Sequence, residues 1–421
     1  MWQKLRRFTK GFWWDTSMGT VFIFLLILFG GRLFNAFEVL NPVGEALADI
    51  EVTDIVFSRI RSELLVDPDK DVVLVNIGGL NREGIAKQIE IINRYEPKAI
   101  GIDAFFRSLK DPVGDSLLSQ ALSETKNLVM VSKLNHYNGS NNTFDTLETS
   151  HPLFTQHGES AFANLITSAS QQEQFKICRT FTPIEHTQHG TEHFFAVKLA
   201  QIYDSAAASN FLNRTNQTEF INYRGNMALN DNSTYKGKFF ALDWDQVLSE
   251  DFTADLIKDK IVVMGYLGED FWDKSWEDKF FSPVNVQYAG KTNPDMYGAV
   301  IHANILSMII NGDYIDTMSE GAGVIAGIVL CFLNVALFTW IYRRLPHWYD
   351  GLTKSIQLLE ALLLLIIIVL VFHLFNYKLN LTLGIIAVLL AGDSLEIYFG
   401  VIKNLFSKEQ RRLLFQLSRD I

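Results

Sequence analysis

Cysteine is scarce in this chain: two among 421 residues, Cys178 and Cys331. Cys331 lies inside a long apolar run and Cys178 in a more polar region, so the two do not pair and no disulfide framework supports the fold. Catalytic signatures are missing too. There is no Gly-x-Ser-x-Gly elbow, phosphate loop or zincin motif, so a hydrolase has no positive support and no catalytic residue is assigned. No histidine or acid stands at metal-ligand spacing from His302, and the acids of residues 266–283 lack the one-three-five spacing of a calcium loop, so neither metal nor cofactor is expected. Positive charge is also short. The 37 Lys and Arg stand against 47 Asp and Glu, net −10, which excludes nucleic acid, whose phosphates require a basic surface.

What the chain has in excess is apolar sequence. Hydrophobic residues make up 48%, more than a soluble protein of this length needs. Uncharged runs extend over Thr16 to Gly31, Gly321 to Tyr342, Ala361 to Tyr377, and Leu379 to Gly392, the last continuing to Ile402 past two acids. Each is close to the ~20 residues that cross a bilayer as a helix. Lys4, Arg6, Arg7 and Lys10 precede the first run; Arg343, Arg344 and Lys354 follow the second; Lys403, Lys408, Arg411, Arg412 and Arg419 follow the fourth. By the positive-inside rule these three segments are cytoplasmic, with Trp13, Trp14, Trp340, Trp348 and Tyr377 as interfacial aromatics. The first run has bulky residues and Arg32 where a signal peptide needs a small-residue cleavage site, so it reads as an uncleaved anchor.

The expected organisation is a cytoplasmic N-terminus (1–17), a span (18–37), an extracytoplasmic domain (38–319), a span (320–342), a cytoplasmic loop (343–355), two further spans (356–377 and 379–402) and a cytoplasmic tail (403–421). The cytoplasmic pieces carry 12 Lys and Arg against four acids, so the remainder of a −10 chain carries −18. The outer domain is acidic, and the basic ends suit anionic lipid head groups. In the tail, Leu405, Phe406, Leu413, Leu414 and Leu417 interleave with cations, the pattern of an amphipathic helix for a membrane face or a partner helix.

Inside the outer domain, "DVVLVNIGG" reads as a buried strand, "NREGIAKQIEIINRYEP" as a helix with apolar positions at Ile85, Ile89 and Ile92, and "KAIGIDAFF" as a second strand. That is a βαβ unit, with parallel pairing and right-handed crossover. "DSLLSQALSET" continues as helix, "NLVMVSKL" and "DKIVVMGYLG" as further strands. Between residues 135 and 258 the pattern is less regular: "ICRTFTPI" and "EFINYRG" suggest strands, "HFFAVKLAQIYD" a helix, "HYNGSNNTFD" a loop. The fold class is thus an α/β extracytoplasmic domain with a largely parallel sheet, plus four transmembrane helices, one before and three after.

The order of "VVLVNIGG", "PKAIGIDAFF", "INYRG", "LIKDKIVVMGYLG", "FFSPV" and "YGAVIHANILSMIINGDYI", with one span before and three after, resembles the type-two CHASE domain over roughly residues 40–400. That is an extracellular sensory domain associated with bacterial cyclases and histidine kinases. The resemblance implies a bacterial inner-membrane receptor, often dimeric, with both termini inside. Two departures matter. The acidic-glycine turn expected before the central arginine is replaced by "QQEQFKICR", leaving Arg179 as the match. After the fourth span only "KNLFSKEQRRLLFQLSRDI" follows, too short for a fused cyclase or kinase.

Candidate ligand residues follow from position. Asn76, Asp103 and Lys133 fall near the carboxyl ends of successive strands, with Gly265 and Gly268 at the end of another, the edge where open α/β sheets bind ligands. Asp103 is a ligand anchor or a clamp on its own loop. Arg179 joins by resemblance. His302 on a probable helix is a ligand group or a hydrogen-bonded core histidine. The loop "YLGEDFWDKSWEDKFFSP" mixes acids with aromatics and suits a cation or sugar. In the spans, Asp393 and Glu396 share a helix face and Glu360 starts the third; these are intramembrane coupling groups or hydrated interfacial acids. The expected function is a non-enzymatic membrane sensor that relays an envelope signal to a separate cytoplasmic or membrane signalling protein. The alternative is a structural or scaffold subunit of an envelope complex.

Overall fold

The structure, a computed structural model, describes residues 2–36, 51–61, 68–165, 177–188, 190–228, 237–285 and 293–403. The amphipathic tail from Leu405 onward, the segment Gln171 to Lys176 and the expected start of the extracytoplasmic domain at residue 38 lie outside the described residues. The chain divides into two compact units, residues 49–315 and residues 1–48 with 316–421. The helices used below are α1 (Trp2–Ala36), α2 (Arg82–Arg94), α3 (Pro112–Ser123), α4 (Phe195–Tyr203), α5 (Ser205–Leu212), α6 (Gly298–Asn311), α7 (Glu320–Arg344), α8 (Tyr349–Phe375) and α9 (Thr382–Ile397). The strands are β1 (Val72–Asn76), β2 (Ala99–Asp103), β3 (Leu128–Asn138), β4 (Thr143–Glu148), β5 (Glu159–Phe162), β6 (Ile184–Thr187), β7 (Gly190–His193), β8 (Asn226–Ala228), β9 (Gly237–Leu242) and β10 (Ile261–Gly265).

Residues 49–315 form an α/β sandwich on a ten-stranded mixed sheet in the order β8-β9-β1-β10-β2-β3-β4-β6-β7, with β5 also paired to β3. From β8 through β3 every pairing is parallel. Helices α2 and α3 pack on one face, α4 and α6 on the other. Such double cover explains why β1, β10 and the first half of β3 are buried at every position: strands sheltered on both faces read as unbroken apolar runs. Local signals set the helix ends. The Asn81 side chain accepts from Gly84 N to cap α2, and Asp111 accepts from Val113 N and Gly114 N to cap α3, whose first turn holds Pro112. Helix α6 stops at Gly312, whose φ of +63° is left-handed.

Three features differ from the sequence reading. The βαβ unit exists, but β1 and β2 are not neighbours, because β10 lies between them and pairs with both. The expected loop at "HYNGSNNTFD" is the tip of an antiparallel hairpin: β3 runs on to Asn138 and returns as β4. Its turn is set by Asn138 accepting from Ser140 N, and the Tyr137 and Phe144 rings meet across it, so composition suggested a loop where cross-strand contacts make strands. Of "EFINYRG" only Glu219–Phe220 is a strand, paired antiparallel with Thr180–Phe181, and "INYRG" is not. Asn304 of α6 holds it instead, accepting from Arg224 N at 2.8 Å and donating to Gly225 O at 2.9 Å.

The other unit contains four helical stretches long and apolar enough to cross a membrane: Gly11–Gly30, Glu320–Arg344, Pro346–Phe375 and Thr382–Ile402. Helices α1, α7 and α9 pack on one another and α8 packs on α9. A Cβ added to Gly327 would lie 3.2 Å from Gly384 N, so paired glycines let α7 and α9 approach closely. Buried polar groups are tied between helices: Gln357 donates to Val388 O and Leu389 O, and Tyr349 to Gly392 O. Asp15, with its side chain only 5% exposed, meets both Arg343 at 2.5 Å and Lys403 at 2.6 Å. Three helical segments are thus joined through one carboxylate.

The carboxyl edge of the parallel sheet is held by Asn76, which is fully buried. Its Nδ2 donates to Asp243 Oδ1 at 2.8 Å and Gly268 O at 3.0 Å, and its Oδ1 accepts from Gly78 N at 2.9 Å and Leu267 N at 2.8 Å. Asn76→Ala strips four buried polar groups of their partner. It should destabilise the α/β unit by about 3 kcal/mol or more, read as an earlier unfolding midpoint in denaturant.

Candidate functional site

Parallel register places three positions in one row at the carboxyl ends of adjacent strands: Asn76 beside Gly265, and Gly265 beside Asp103. The first turn of α6 closes over the row. A Cβ on Gly265 would come within 2.8 Å of Ala299 Cβ, so glycine there lets helix and sheet meet, and a Cβ on Gly298 would sit 3.7 Å from Asp103 Oδ2, in ordinary contact.

Asn76 and Asp103 share a row and have opposite fates. Asn76 uses both donors and both acceptor positions on neighbouring loops, which makes it a clamp. Asp103 is not used in that way: no donor from the described residues reaches its carboxyl. Its nearest charged-type partner is His302 Nε2 at 3.8 Å, beyond hydrogen-bond reach, and its side chain is 23% exposed. Burial, reinforced by the nearby Asp278 carboxylate, pushes Asp103 up to about 7. His302 is 2% exposed, and burial presses it down to about 3. A neutral imidazole therefore faces an acid that keeps its proton until near neutrality, and no ion pair forms between them. The His302 ring lies against Phe194 and Phe195, both at 5.2 Å, and its Nδ1 is buried without a partner among the described residues. An acid that no donor reaches and an imidazole whose Nδ1 lacks a partner, both among the described residues, make a site able to exchange hydrogen bonds with a polar guest.

The remaining candidates lie elsewhere. Lys133 lies beyond the shared row, in the half of β3 that pairs with β4, opposite Glu148. Arg179 forms a two-pronged pair with Asp54, 3.0 and 2.7 Å, at low exposure. The strand-end cluster is thus Asp103 with His302 and Gly265, next to the Asn76 clamp, without Lys133 or Arg179. In the other unit, Glu360 is half-buried and its Oε2 lacks a partner among the described residues. Asp393 and Glu396 point out of the helical unit; Asp393 is 68% exposed and 3.9 Å from Lys354 Nζ, itself 64% exposed.

Sequence reasoning overlooked several groups. Asp243 supports Asn76 and caps the short helix Trp244–Leu248 in a capping box with Gln246; the Asp-x-x-Gln spacing was its signal. A cleft of about 660 Å³ borders α3 and contains Ser119 and His157, with Ser119 Oγ 2.8 Å from His157 Nε2. A second cleft of about 450 Å³ lies at the amino ends of the strands, around Lys98, Asn127 and Asp259. Neither is lined by Asp103. No group of His, Cys, Asp and Glu among the described residues could hold a metal ion.

Comparison with known proteins gives one match: the family model described as CHASE2 domain covers residues 20–337, well over half of the chain. No curated protein and no solved structure matches.

Because Asp103 holds its proton more tightly folded than at its ordinary value of 3.8, folding binds a proton between those values and stability falls as pH rises from about 4 to about 7. Asp103→Asn should melt at the wild-type temperature at pH 4 and above it at pH 8. Asp295, raised by burial to about 6, contributes in both proteins, so the difference isolates Asp103.

Proposed function

The chain belongs to the CHASE2 domain family, and from that membership we propose that it is a non-enzymatic integral membrane sensor of the bacterial inner membrane, both termini cytoplasmic and residues 49–315 outside. The observation that carries the reading is Asp103. A carboxyl at the ligand-binding edge of a parallel sheet, partly open to solvent and given no donor by the described residues, is available to a ligand in a way that Asn76 is not. That favours anchor over loop clamp. His302 beside it supplies a second polar group, and a polar small molecule is the ligand class that matches the pair.

Relay would pass through the spans to a separate cytoplasmic or membrane signalling protein. Asp393 and Glu396, exposed on one face of α9, support a contact with such a partner or with a second copy of the chain, since carboxylates in a span are normally covered by protein or water. A ligand can bias this receptor only by binding one arrangement better than another. The runner-up, a scaffold subunit of an envelope complex, would need constitutive protein contacts instead.

Purification from native membranes tests the reading. A cytoplasmic or membrane signalling protein should co-purify, and Asp393→Asn with Glu396→Gln should lower its recovery several-fold. Recovery of envelope structural proteins alone, unaffected by the double substitution, would sink the sensor in favour of the scaffold.

A further inference from the structure

The loop that follows β10 carries two indoles in water. Trp272 is 73% exposed and Trp276 60%. Exposed large apolar groups are common on proteins, but two tryptophans on one short loop are not, since each forgoes a large burial gain. The loop is also built to stay where it is. Gly268 O accepts from Asn76, Phe271 N donates to Asp243, and Trp244 Nε1 donates to Glu269 O. Within it, Asp273 accepts from Glu269 N, from Ser275 N and from the Ser275 hydroxyl. The indoles are therefore held ready at little further ordering cost.

Charge indicates what they await. Among the exposed side chains of this loop, Glu269, Asp270, Glu277 and Asp278 are acidic and Lys274 is basic. Indole faces attract cations more strongly than other aromatic rings, and carboxylates beside them add long-range attraction. A polyanion would be repelled, and a neutral partner would gain nothing from the four acids. We propose that this loop is a docking surface for a basic polypeptide segment, whose Lys or Arg side chains lie over Trp272 and Trp276 and pair with the flanking carboxylates. Asp278 also lies near Asp103, so the substitutions that test this surface are made at Trp272, Trp276, Lys274 and Glu277 and leave Asp278 in place.

The test uses the full chain in nanodiscs of zwitterionic lipid, titrated at low salt with a Lys/Arg-rich nonapeptide, a Gly/Ser peptide of equal length and a neutral oligosaccharide. The basic peptide should bind, weakening as salt is raised. Trp272→Ala with Trp276→Ala should reduce its affinity at least tenfold, Glu277→Gln should reduce it two- to fivefold, and Lys274→Glu should tighten it. Neutralising exposed acids elsewhere, Glu83→Gln with Glu124→Gln, should change it less than twofold. Equal affinity in the double-tryptophan variant would overturn the proposal, because overall acidity would then account for binding. Tryptophan-dependent binding of the oligosaccharide instead, or a dimer that the tryptophan substitutions convert to monomer, would also overturn it by assigning the loop to another occupant.

Discussion

Four hydrogen bonds from one carboxamide organise the carboxyl edge of the ten-stranded sheet. Asn76 reaches the turn after its own strand through Gly78, the loop after β10 through Leu267 and Gly268, and the segment after β9 through Asp243. These three stretches are far apart in sequence and converge because β9, β1 and β10 are adjacent in the sheet. A buried amide is costly unless every polar atom is matched, and here every one is. Asp243 is drawn into the same network and passes the constraint to Phe271, so both the strand-end row and the indole-bearing loop rest on this side chain.

The same edge contains a group left out of the network. The row that joins Asn76 to Asp103 through Gly265 shows how neighbouring positions diverge: one lies where three loops offer partners, the other under the first turn of α6, with aromatic rings and a second carboxylate nearby. Burial without partners is what sets Asp103 and His302 apart electrostatically. In the other unit the contrast recurs. Asp15 is enclosed by Arg343 and Lys403, whereas Asp393 faces outward with a distant lysine. Enclosed carboxylates hold elements together; open ones remain available for other contacts.

Much of this was legible in the residues. The apolar runs gave four candidate spans, and the buried strands and the helices with apolar positions three and four apart were placed correctly, since burial leaves a periodic trace. Strand ends also identified Asn76 and Asp103 as members of one edge. What did not show was pairing. Nothing local in "DKIVVMGYLG" says that it separates β1 from β2, and nothing in "HYNGSNNTFD" says that the strands on either side of the turn pair with each other. Lys133 falls outside that edge for the same reason: β3 runs on past it and pairs it opposite Glu148. The second fate of a polar residue, clamp or open group, depends on donors from distant loops.

The position of β10 also determines when the domain can become itself. Val72 of β1 finds its partner Ile261 only after the whole intervening chain has been made, and β2 finds Gly265 on the other side of the same strand. Until then β1 and β2 present unpaired edges flanking a gap one strand wide. Contacts so distant in sequence slow folding, and open edges of this kind invite mispairing. The parallel half of the sheet therefore cannot be completed until its central strand has been made.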